Sequence, residues 1–171
     1  MKKILTAIAA LIAVVSCANN DTVENKMKKA LIEAEGIKGY EYIEHKTSKD
    51  ATLGDCLAWE KDKVVEENTK LMFSGNSPRK ERNHKVYNII AELKESNASL
   101  LENKYGEILK LKYSYKDNGE KIESSRYFVV TKEGDIIGGP YKEYQPALNE
   151  YKSFNFSHLA GYEKLRDILS E

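Results

Sequence analysis

The chain is poor in the residues that staple or punctuate small proteins. It has two cysteines, three prolines and one tryptophan among 171 residues. Two cysteines allow at most one disulfide, which excludes a disulfide-dense scaffold. Long apolar runs are missing as well. The longest, Ile4 to Val15, falls well short of the roughly 20 apolar residues that a membrane-spanning helix needs. No excess of one charge exists, because 27 Lys and Arg balance 27 Asp and Glu. Such a chain is no general nucleic-acid binder. The three histidines, His45, His84 and His158, have no metal-ligand spacing, and neither HExxH nor CxxC occurs. No serine sits in a GxSxG turn. Gly138-Gly139 precedes Pro140 and a polar loop, not a helix that would cradle phosphate. Glu66 and Glu67 are adjacent and point to different sides of a helix. Sequence alone therefore assigns no catalytic residue, no cofactor and no metal.

What is present begins at the N-terminus. Lys2 and Lys3 precede the uncharged stretch Ile4 to Val15, whose one polar member is Thr6. That length suits the core of a signal peptide. Val14-Val15-Ser16-Cys17 follows, and it resembles the lipobox of bacterial lipoproteins. The resemblance implies cleavage before Cys17 and acyl chains on Cys17 itself, including palmitate, which anchor the protein to a membrane. Ala18, rather than aspartate, follows the cysteine. By the retention rule of some Gram-negative lipoproteins this implies the outer membrane. The expected division is a signal peptide at 1–16, a lipidated cysteine and short tether at 17–21, and one domain at 22–171. Losing Lys2 and Lys3 leaves two more acids than bases. With Cys17 acylated, Cys56 is the one remaining thiol, set beside Leu53 and Leu57 at helical spacing as a small core residue.

The rest of the chain reads as mixed secondary structure. Val23, Met27, Ala30, Leu31 and Ala34 form one stripe of an amphipathic helix, with Asp21 and Glu24 spaced as a capping box and Gly36 as its end. The four residues after Cys17, Ala18 to Asp21, span at most about 15 Å, which keeps the domain near its membrane. Gly39 to Thr47 reads as a strand. Ala51 to Phe73 reads as a helix, interrupted on its apolar side by Glu60. A long helix is expected from Ser77-Pro78 to about Asn103, with Val86, Ile89, Ile90, Leu93, Leu100 and Leu101 inward. The period then switches to two. Leu109, Leu111, Tyr113 and Tyr115 share one face, and Asn118-Gly119 is a strong hairpin signal. A two-residue loop there sets Tyr115 opposite Ile122 and Leu109 opposite Phe128. Glu133-Gly134-Asp135 supplies a second turn, completing a three-stranded meander. Two shorter helices, Pro146 to Phe154 and Leu159 to Leu169, close the chain, with Ser157 as a cap. The predicted class is α+β: an antiparallel meander plus one earlier strand, packed against several amphipathic helices gathered on one face. The meander, Lys104 to Gly138, is similar to the C-terminal sheet of small uncharacterised lipoproteins of Bacteroidota-type bacteria.

Two surfaces are nominated for interaction. Arg79, Lys80, Arg82 and Lys85 cluster at the start of the long helix, where cations oppose the helix dipole and could meet anionic headgroups or an acidic partner. Tyr113, Tyr115, Tyr127, Tyr141 and Tyr144 fall on or just after the meander, and tyrosine suits protein and sugar faces. The leading expectation is a membrane-anchored envelope binding module whose partner is an envelope protein or glycan. An envelope hydrolase with a site assembled only in three dimensions, and a structural component of an envelope assembly, are the alternatives.

Overall fold

The structure, a computed structural model, describes residues 22–72 and 77–170. The signal segment, Cys17, the tether and the expected cap Asp21 lie outside the described residues. In chain order the described elements are α1 (Val23–Glu35), β1 (Lys38–Lys49), α2 (Leu53–Leu71), α3 (Ser77–Ser96), a short 3-10 turn (Ala98–Leu100), β2 (Gly106–Asp117), β3 (Glu120–Thr131), β4 (Ile136–Tyr141), α4 (Tyr144–Phe156) and α5 (Tyr162–Leu169). The class is α+β, as the periodicity predicts.

Local chemistry sets the element ends. Thr22 caps α1, its Oγ1 accepting from the Asn25 N–H at 3.3 Å. Gly36 ends it in the left-handed region at φ 62°, where its N–H reaches the Ile32 carbonyl. A capping box of Thr52 and Asp55 starts α2, and the hydrogen bonds from Thr52 hold the Asp55 carboxyl below its usual range. The long helix α3 stops at Ser96, short of the expected Asn103. The cause is Asn97, which is buried and turns its side chain to the chain beyond. Its Nδ2 donates to the Leu93 and Ala160 carbonyls at 2.9 and 3.2 Å, and its Oδ1 accepts from the Ala160 N–H at 2.9 Å. The last helix starts at Tyr162 rather than Leu159, behind a left-handed Gly161. Ser157 caps no helix start; its Oγ donates to the Phe154 carbonyl at the end of α4.

The four strands form one antiparallel sheet in the order β1-β2-β3-β4. Tyr115 lies opposite Ile122 and Leu109 opposite Phe128, the register that the Asn118-Gly119 turn predicts. Both turn residues have positive φ, the signature of a type I′ hairpin. The helices do not gather on one face, and this corrects the sequence expectation. Met27 and Leu31 of α1 pack with Leu109, Leu111, Tyr113, Phe128 and Val130 on one side of the sheet. The opposite side contributes Ile108 and Val129 to a larger core shared with α2, α3, α4 and α5. Alternation within β2 and β3 thus serves two apolar layers, because both faces are covered at that end of the sheet.

Candidate functional site

The structure distributes the five nominated tyrosines over both faces of the sheet. Tyr113 is fully buried beneath α1, and Tyr115 lies beside it with ring centroids 6.0 Å apart. Arg126 of β3 clamps this side, donating to both carboxylate oxygens of Glu35 at 2.6 and 2.8 Å. Tyr127 and Tyr144 meet edge to face at 5.6 Å on the other side, where they and Tyr141 are partly buried against the main core. The five therefore form no single exposed row. The fold uses them as amphipathic filling, and desolvation raises the phenol pKa of Tyr113, Tyr141 and Tyr144.

The basic cluster is also divided. Because α3 begins at Ser77, all four cations fall within its first half, and its first turn holds no acid. Arg79 lies 3.7 Å from Glu67 of α2. Arg82 turns inward, where its Nε and Nη2 donate to the carbonyls of Ile168 and Leu169 at 3.2 and 3.3 Å. Those carbonyls belong to the open end of α5, so Arg82 is a C-terminal cap supplied by another helix. Lys85 remains exposed and Lys80 half-exposed. Cys56 is fully buried, and burial pushes its thiol up to about 12, the opposite of what a nucleophile requires. Among the described residues no three His, Cys, Asp or Glu side chains group to hold a metal, and no helix is long and apolar enough to cross a membrane.

Polar groups do converge elsewhere, in a cleft of about 250 Å³ between α2, α3, α4 and both ends of α5. Its floor holds a buried ion pair: Lys152 of α4 donates to Oε1 of Glu60 of α2, with side-chain exposures of 14% and 6%. Asn83 of α3 is fully buried on the same cleft. Its Nδ2 donates to Asn68 Oδ1 at 3.1 Å and to Glu67 Oε2 at 3.4 Å. Two acceptors on that side fix the orientation of the amide, and its Oδ1 is left without a hydrogen-bond partner. Tyr162 and Phe156 add aromatic surface, with ring centroids 5.9 Å apart. No family model, curated protein or solved structure matches the chain. The cleft's meaning rests on its chemistry.

The sequence holds one local signal of this cleft. Glu60 continues the stripe of Leu53, Cys56, Leu57 and Val64 along α2, where a charge breaks the pattern. A charge on an apolar stripe needs a buried partner. That partner, Lys152, lies 92 residues away in sequence and follows no local spacing rule.

Proposed function

We propose that the protein is a lipoprotein of a bacterial envelope membrane, held by acyl chains on Cys17 and acting there as a binding module. One observation carries the reading: the basic start, the uncharged Ile4–Val15 stretch and Val14-Val15-Ser16-Cys17 occur together in the order lipidation requires. Acyl chains contribute about 0.8 kcal/mol per buried CH₂, so several on one residue make a durable anchor. The short tether is consistent with this, since α1 starts at Val23 and its cap Thr22 is only five positions past Cys17. The outer membrane is the proposed location. What supports binding is the cleft, a concave site with a few convergent polar groups on rigid helices.

The test is mass spectrometry of the N-terminal peptide from cells fed a labelled fatty acid. The expected result is a peptide beginning at acylated Cys17, with Cys17→Ser released from membranes and unlabelled. An intact N-terminus, or cleavage elsewhere without lipid, overturns the anchor. Cross-linking in cells, followed by denaturing purification, then asks what the anchored module holds.

A further inference from the structure

We infer that the cleft between α2, α3, α4 and α5 binds a neutral polyhydroxylated ring, a single sugar residue, through Asn83 and the Glu60–Lys152 pair. The inference rests on the binding-module reading of this cleft and is independent of the anchor.

Folding does not require the polar lining of the cleft. A buried ion pair is rarely a net gain over apolar side chains of similar volume. A buried amide oxygen without a partner is a direct loss. The same fold shows how a structural asparagine is satisfied, because Asn97 uses both its oxygen and its nitrogen. Asn155 also leaves its Oδ1 unpartnered, but it is tied to its own helix and does not line the cleft. Asn83 combines burial, a fixed orientation and a free acceptor with a position on the cleft.

The lining then selects the ligand. Glu60 and Glu67 offer acceptors, while Lys63, Arg82 and Lys152 offer donors. A carboxylate or phosphate would meet two acids, and an ammonium would meet three cations. A hydroxyl both donates and accepts, so one group can bridge Glu60 and Lys152 while another donates to Asn83 Oδ1. Tyr162, partly exposed and backed by the buried Phe156, supplies apolar surface for the C–H face of a ring. About 250 Å³ is less than a drug-sized site and suits one ring. The same ring can arrive as a free sugar or as the end of a glycan.

The experiment uses the full chain in a detergent without a sugar headgroup. Saturation-transfer NMR and calorimetry read binding of glucose, galactose and mannose, each beside its cationic amino-sugar and its anionic uronic acid. Expected is a neutral ring bound with a Kd on the order of millimolar, and its charged counterparts at least tenfold weaker. A methyl disaccharide ending in the preferred ring separates the sources: tenfold tighter binding points to a glycan end, equal binding to the free sugar. Asn83→Leu removes the free acceptor and should abolish the signal. Asn149→Trp, an exposed change at the mouth, should do the same while leaving the thermal melt unchanged. Binding of no neutral ring, preference for a charged one, or binding that survives Asn149→Trp overturns the inference. Cys17→Ser should bind the ring as the parent does, so failure of the anchor reading and failure of this one are distinguishable.

Discussion

The Glu60–Lys152 pair turns a question about function into one about stability. Removing Lys152 alone strands a carboxylate in a nearly dry place, which costs about 3 kcal/mol, the lower end for breaking a buried pair because Lys152 keeps some exposure. The prediction is that Lys152→Met lowers the urea-unfolding free energy by that amount. The double change Glu60→Leu with Lys152→Met should return to within about 1 kcal/mol of the parent. A double variant as damaged as the single one would show that the pair is needed for packing, and would weaken the case for a ligand. Cys56 gives a second reading at this scale. Its folded pKa of about 12 stands above the ordinary 9.0, and those of Tyr40 and Tyr151 reach about 12 from 10.0. Desolvation is the largest cause in each case, so the fold favours the protonated form. The stability these groups contribute is complete below their ordinary values and is lost as pH rises toward 12. Between pH 9 and 10 the loss belongs mainly to Cys56, and Tyr40 and Tyr151 join above 10. Urea melts across this range should show Cys56→Val with a flatter fall from pH 9 to 10. An unchanged slope would contradict the assignment.

Helices and strands were legible where spacing is local, and opaque where a partner comes from far along the chain. Asn118-Gly119 fixes the β2–β3 register because a type I′ turn permits one pairing, and Tyr115 duly faces Ile122. The end of α3 was not legible, because Asn97 is satisfied by Ala160, 63 residues on. Sheet coverage escapes local spacing for a related reason: on its second face β2 shows Ile108 followed by Lys110 and Lys112, and the apolar partners of Ile108 come from Val129 and from helices far along the chain. The basic cluster shows the same limit in energetic form. Cations at a solvated helix start can be replaced by glutamine at little cost to folding. In the fold, Arg82 closes two carbonyls of α5. Arg82→Gln should therefore cost about 1 kcal/mol, with the fraying confined to α5. Lys80→Gln and Lys85→Gln should stay within about 0.5 kcal/mol of the parent. Hydrogen exchange resolved by segment checks this, and equal protection of α5 in all three variants would remove Arg82 from its capping role.

The molecule has two ends, and the proposed anchor distinguishes them. Lys26 of α1 pairs with Asp135 at 2.6 Å, and Val23 lies against Gly134, so the start of α1 sits on the β3–β4 turn. Gly106 pairs with Thr131 at that same end, which brings the loop before β2 alongside. Lys104, Tyr105, Lys132 and His158 line one shallow hollow there. The β2–β3 turn lies at the far end of two twelve-residue strands, about 37 Å away at the rise of an antiparallel strand. The five steps from Cys17 to Thr22 reach at most about 18 Å, too short to reverse that order. The domain should therefore stand with the β3–β4 turn toward the lipid and the Asn118-Gly119 hairpin away from it. This is testable with one fluorophore at a time on the acylated protein in vesicles. Lys132→Cys and Glu120→Cys are both exposed positions, while Cys56 is buried and Cys17 would be occupied by lipid. Quenchers attached to lipid headgroups should dim the label at 132 strongly and spare the one at 120. In Cys17→Ser both labels should escape quenching. Equal quenching at 132 and 120 with the anchor intact would mean that the chain before Thr22 and the end of α1 unravel enough to let the domain tumble. Stronger quenching at 120 would mean that the hairpin, not the turn, meets the membrane.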